Sequence, residues 1–167
     1  MATATGRFNY QQLKIRLIAV GQRQPAWLHD AYSQFAARLP KTDAITLIEV
    51  PAQNRKTGSV DKILALEADK ILAQLDRDDW LVVLDERGDH WSTTELSERL
   101  GSWAELGRSV VMLIGGADGL HNRCLDRANE TFAMSRGTYP HGLVRVMLAE
   151  QLFRAWSLAN GHPYHRA

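Results

Sequence analysis

Short apolar runs alternate with longer amphipathic segments along almost the whole chain, and this order restricts the fold more than any other feature of the sequence. Residues 13–20, 45–50, 80–84, 109–114 and 131–135 have the length and apolar character of buried strands. Residues 25–38 read as a helix opened by proline, with Trp27, Leu28, Ala31 and Phe35 on one side. Residues 59–75 read as a second helix, with Ile63, Leu64, Ile71 and Leu72 on its apolar side. Ser92 followed by Glu95 is a capping-box signal for a third. A fourth is expected from about Asp118, and a last helix over 142–160, stopped by Gly161 and Pro163. The expectation is one α/β domain over residues 13–167, a mainly parallel sheet flanked by helices. Residues 1–12 read as a flexible N-terminal extension.

Composition narrows the function classes. A single cysteine, Cys124, excludes an intramolecular disulfide framework and fits a reducing compartment. The apolar runs are too short to span a membrane, so the chain is expected in the cytoplasm, away from lipid. Charge is uneven: residues 1–133 hold 16 Lys and Arg against 18 Asp and Glu, whereas residues 134–167 hold four Arg against Glu150 alone. A field for indiscriminate nucleic-acid binding is absent, but a local cationic end remains.

Three strand ends carry glycine: Asp85-Glu86-Arg87-Gly88, Gly115-Gly116-Ala117-Asp118-Gly119 and Arg136-Gly137-Thr138-Tyr139-Pro140. Ligands of open α/β sheets bind beyond the carboxyl ends of strands, and together these ends suit a nucleotide-like cofactor. Singly each is weak. The Gly115 segment is neither a dinucleotide fingerprint nor a P-loop, and by itself reads as a tight turn with Asp118 as helix N-cap.

The chain's last part concentrates acid-base and anion-binding groups. His141 follows Pro140 at the start of the last helix. Arg154 has Glu150 four residues earlier, which alone would mean a helical ion pair. Tyr164 is a hydrogen-bonding group or an anchor for the tail. His162 and His165 have ligand-like spacing but no accompanying Cys or carboxylate cluster, so no metal is expected. The 53–59 segment reads as a polar, solvated loop.

Leu13-Lys14-Ile15-Arg16-Leu17-Ile18-Ala19-Val20-Gly21, Leu84-Asp85-Glu86-Arg87-Gly88, Leu113-Ile114-Gly115-Gly116-Ala117-Asp118-Gly119-Leu120, Pro140-His141-Gly142-Leu143-Val144-Arg145-Val146, and Arg154-Ala155-Trp156-Ser157 with His162-Pro163-Tyr164-His165-Arg166 together resemble the bacterial RlmH-type 23S rRNA (pseudouridine-N3) methyltransferases of the SPOUT class. The resemblance implies a SPOUT methyltransferase fold with a C-terminal trefoil knot, a homodimer, S-adenosylmethionine as methyl donor and the 70S ribosome as partner. It implies a cofactor pocket from Leu84, Gly116, Ser135, Arg136, Gly137, Thr138, Tyr139 and Pro140. It further implies catalytic roles among His141, Arg154, Tyr164 and His165, with Arg154 and Arg166 on RNA. The Arg136-Gly137-Thr138-Tyr139 stretch departs from the more apolar version of such proteins, which backbone contacts to a cofactor would survive. The alternatives are a non-catalytic ribosome-docking module and a SPOUT methyltransferase acting on another RNA.

Overall fold

The computed structural model describes residues 13–56 and 58–166. The expected extension at 1–12 lies outside them. Five strands, β1 (Ile15–Val20), β2 (Ile45–Val50), β3 (Trp80–His90), β4 (Val110–Ile114) and β5 (Glu130–Ala133), form one sheet in the order β2-β1-β4-β3-β5, and every pairing is parallel. Five α-helices connect and follow them: α1 (Ala26–Ala36), α2 (Val60–Leu72), α3 (Thr93–Glu105), α4 (Asn122–Arg127) and α5 (His141–Ala159). The predicted fold class is thus observed.

Burial follows position in the sheet. All five residues of the central β4 are buried, whereas edge strand β2 buries only Val50. A parallel sheet is stable when helices cover both faces, because its crossovers must lie there. On one face Tyr32 of α1, Leu96, Leu100 and Trp103 of α3, and Leu148, Leu152 and Ala155 of α5 pack on Leu17, Val82 and Met112. On the other, Ala68 and Ile71 of α2 and Cys124 of α4 pack on Ile18, Val83 and Leu113. Cys124 is fully buried, and that burial pushes its thiol up to about 11, which leaves it unreactive at neutral pH.

Local chemistry fixes the element ends. Ser59 accepts from the amide of Lys62 to start α2, and Ser92 with Glu95 makes the reciprocal capping box of α3. Glu130 Oε1 accepts from the indoles of Trp80 (2.7 Å) and Trp103 (2.8 Å), and Oε2 pairs with Arg99. Edge strand β5 is thereby tied to β3 and α3. Gly142 lets α5 approach α1: a Cβ there would stand 2.8 Å from Leu28 Cδ1.

Two expectations need correction. The third strand does not end at Leu84. It bulges over 85–88 and resumes, so that both Leu84 and Asp89 face Phe132 of β5. Gly88 makes the return possible, since a Cβ there would lie 2.7 Å from the Phe132 amide nitrogen. Asp118 does not cap α4. The Gly119 amide donates to the Gly116 carbonyl in a tight turn with Gly119 at φ 81°, and the cap moves to His121, whose side chain accepts from Arg123. Asp118 is drawn instead to Arg55, 2.6 Å away.

Candidate active site

The bulge after Leu84, the glycine turn after β4 and the 134–141 segment meet above the carboxyl end of the sheet and enclose a cleft of about 940 Å³. That size lies at the upper end for small-molecule sites. Leu84, Gly116, Ser135, Gly137, Thr138, Tyr139 and Pro140 line it, as does His141. Arg136 is exposed and is not among the lining residues. The segment from Ser135 is held locally, with the Gly137 amide donating to Ser135 Oγ (2.9 Å). Thr138 Oγ1 donates to Glu86 Oε2 (3.2 Å) and so links two walls of the cleft. Phe132 lines the floor and is backed by Trp91, stacked on it at 4.4 Å.

Charged groups line the rim of the cleft: Asp85, Glu86, Arg87 and Asp118, with the Arg87 guanidinium holding the Asp85 carboxyl below its ordinary range. Asp85 is paired with Arg87 and Asp118 with Arg55, which leaves Glu86 as the rim carboxylate outside a salt bridge among the described residues. A carboxylate beside an otherwise apolar floor suits a ligand that carries positive charge together with apolar surface.

His141 stands at the junction of this cleft with a second polar group. Its Nε2 lies 3.4 Å from Gln24 Nε2. Burial lowers its pKa first, then the positive charges of Arg145 and Arg55, with Glu67 opposing. Arg145 is buried and is held by Glu49 Oε1 (2.6 Å) and by the carbonyls of Val20 (3.1 Å) and Gly21. It thereby pins the end of β1 against α5. Tyr32, packed beside it, is pushed up to about 12 by burial.

The remaining predicted residues form a different group. Tyr164 Oη donates to Glu150 Oε1 (3.0 Å), and Arg154 donates to the same oxygen from Nε (2.8 Å), with its terminal nitrogen at 2.7 Å. The predicted Glu150–Arg154 pair is therefore present, with Tyr164 added to it. Arg154 also stacks on the Tyr164 ring at 4.9 Å, and Phe153 packs on that ring from within α5. Tyr164 is shifted up by burial and by Glu150, so it acts as a donor at neutral pH rather than as a proton acceptor. His165 is half-buried, with Nδ1 against the His162 carbonyl, and Arg166 is exposed.

These two groups lie on one helix but far apart. His141 begins α5 and Arg154 follows thirteen residues later, roughly 20 Å along the axis at 1.5 Å per residue. A small reacting centre cannot touch both within one chain. Sequence reading grouped them; it also passed over Arg55, Glu67 and Gln24, whose approach to His141 depends on contacts across distant segments. Among the described residues no cluster of three metal-ligating side chains occurs, and no helix is long and apolar enough to cross a membrane.

The family model described as "Predicted SPOUT methyltransferase" matches residues 13–165. The chain is 44% identical over 155 residues to the ribosomal RNA large subunit methyltransferase H of Methylococcus capsulatus, covering 92% of this chain and all of that protein. It is 46% identical to the protein of the same name from Thioalkalivibrio sulfidiphilus, covering 92% and 99%. Among solved structures, a probable methylase family protein from Haemophilus influenzae superposes with a TM-score of 0.57 at 14% identity, over 90% of this chain and 70% of that one. The A. aeolicus TrmH/SpoU tRNA modifying enzyme superposes at 0.50 with 11% identity, over 97% and 81%. These last two likenesses concern the fold alone. With the strand order, the glycine-walled cleft and near-complete overlap with its relatives in place, the chain belongs to the SPOUT methyltransferases, in one family with the large-subunit rRNA methyltransferase H proteins.

Proposed function

We infer that this protein methylates N3 of a pseudouridine in 23S rRNA, with S-adenosylmethionine as donor, in the cytoplasm, on the assembled 70S ribosome and as a homodimer with the knotted C-terminal path implied by its family. The observation that carries this reading is the cleft itself: three glycine-bearing segments around an apolar floor, with the Glu86 carboxylate at the rim. It fits a ligand with an adenosine body and a cationic sulfonium and ammonium end. Leu84, Gly116, Ser135 and residues 137–140 would hold that group, which supplies an electrophilic methyl.

The protein's own task is to orient N3 and to assist loss of its proton, because an imide nitrogen is a poor nucleophile until deprotonated. His141, at the cleft edge with its pKa held low, is neutral and able to accept a proton at neutral pH. Arg154, with Glu150 and Tyr164 orienting it, is suited to a developing anion or to phosphate, and Arg166 to phosphate. The 20 Å separation along α5 is resolved if the tail of one protomer completes the cleft of its partner.

A net charge of only +1 gives little general attraction to RNA, so recognition must come from the shaped surface of the ribosome. The test is transfer of labelled methyl from S-adenosylmethionine to 70S particles lacking the modification, and to naked 23S rRNA. Label on N3 of one pseudouridine, with much higher yield on 70S particles, is expected. Equal yield on naked RNA would remove the ribosome from the reading. Label on another RNA would remove the substrate.

A further inference from the structure

The contact between His141 and the segment joining β1 to α1 bears on which ring nitrogen carries the proton. Gln24 Nε2 lies 3.4 Å from His141 Nε2, in a half-buried position. An amide nitrogen only donates, so the imidazole nitrogen facing it has to accept. Two glycines make room for the contact. Gly21, with φ 104° at the end of β1, leaves open the point where a Cβ would lie 3.2 Å from His141 Nε2 and 3.4 Å from Gln24 Nε2. On the other side, a Cβ on Gly142 would overlap Gln24 Oε1 and push the amide away.

The orientation of the amide follows from what each end meets. Gly142 belongs to the first turn of α5, whose N-cap, Pro140, supplies no side-chain cap. The backbone N–H groups of that turn carry the positive end of the helix dipole, which favours the amide oxygen over the amino group. With Oε1 turned to α5, the amino group is left for the imidazole. Both sides of the frame are fixed. Arg145 of α5 donates to the Val20 and Gly21 carbonyls, and Leu28 of α1 comes against Gly142 itself.

Charge does not make this choice. Arg145 of α5, Arg55 of the loop before α2 and Glu67 of α2 act on the ring and change its affinity for a second proton. Which nitrogen holds the first proton is set by the hydrogen bond that the other one makes.

We propose that Gln24 is the positioning residue of His141: its amino group donates to Nε2 and so fixes the neutral tautomer with the proton on Nδ1. Protonating Nε2 would set two donors face to face, so the contact also opposes the charged form. Nδ1–H is then the ring's donor, and Nε2 holds its only lone pair. The proposal rests on the reading of His141 as a working group of the methyl-transfer site, and it adds the residue that sets the state of the ring.

The experiment uses full-length wild type, Gln24→Met and Gln24→Glu. The first replacement keeps the shape without a donor, and the second, when ionised, can only accept. Nitrogen NMR shifts of the His141 imidazole are followed against pH, with S-adenosylmethionine binding and thermal unfolding measured alongside. At mildly alkaline pH wild type is expected to show a protonated Nδ1 and an unprotonated Nε2. Gln24→Met is expected to move the ring toward the Nε2–H tautomer and to lower kcat on 70S ribosomes about tenfold, with KM and cofactor affinity unchanged. Gln24→Glu accepts from Nε2–H, so it is expected to raise the imidazole midpoint by about one unit and to carry the acid limb of kcat/KM upward with it. A merely structural role would lower the unfolding temperature without moving the tautomer or the acid limb. Nε2–H in wild type, an unchanged tautomer in Gln24→Met, or an unchanged midpoint in Gln24→Glu would each overturn the assignment. Wild type that transfers no methyl to 70S ribosomes would overturn the functional reading instead, while the shifts still decide the Gln24 contact.

Discussion

His141 shows how a single residue's chemistry is set by its neighbours. Partial burial, then two guanidiniums, outweigh the carboxylate of Glu67, so the imidazole holds its proton less tightly than an ordinary histidine. In the unfolded chain it titrates near 6.5. The folded state therefore binds fewer protons as pH falls below about 6.5, and this residue lowers stability only on that acid side. An NMR titration of the folded protein is expected to place the imidazole midpoint below 6.5, and Arg55→Gln to move it upward by removing one positive neighbour. A midpoint at or above 6.5 would contradict the account. Nothing in the order of the sequence reveals this neighbourhood. Arg55 sits in a segment that reads as a solvated loop, and only the fold brings it to Asp118 and Gly116.

At the scale of elements, the bulge in β3 decides the shape of the cleft. Residues 85–88 leave the ladder at Leu84 and rejoin it at Asp89, and Gly88 passes against the backbone of Phe132. Gly88→Ala is expected to destabilise the protein by about 1–3 kcal/mol, as added volume does in a filled site, and to weaken cofactor binding. Urea unfolding and equilibrium binding check both; unchanged stability would mean that the bulge can open freely. Strand and helix cores were legible from the apolar periodicity, because burial on both faces of a parallel sheet leaves long apolar runs. The capping box at Ser92 and the proline-led starts of α1 and α5 were legible for the same local reason. The return of β3 was not, since a polar Asp-Glu-Arg-Gly segment reads as a loop and its continuation depends on pairing with β5, more than forty residues downstream. Nor was the start of α4, where Asp118 was the natural cap until Arg55, distant in sequence, took it.

At the scale of the whole molecule, α5 carries the two ends of the proposed chemistry on opposite ends of one rigid rod. The last 34 residues hold most of the excess positive charge, and the Arg154–Glu150–Tyr164 group lies well away from the cleft that His141 lines. The glycine strand ends and the tail were each legible as chemistry in the sequence. Their separation was not, because spacing along a chain does not give distance until the helix between is known to be continuous. The central claim is that two copies bring these ends together, and mixed dimers test it most directly. Cells would co-express a tagged His141→Ala chain with a differently tagged Arg154→Ala chain, and the doubly tagged species would be assayed for methyl transfer to 70S ribosomes. Each variant alone is expected to be inactive, whereas the mixed dimer regains up to half of wild-type activity through the one site that receives both intact residues. Failure of the mixed dimer to recover any activity, with both chains folded and associated, would contradict a site shared between protomers.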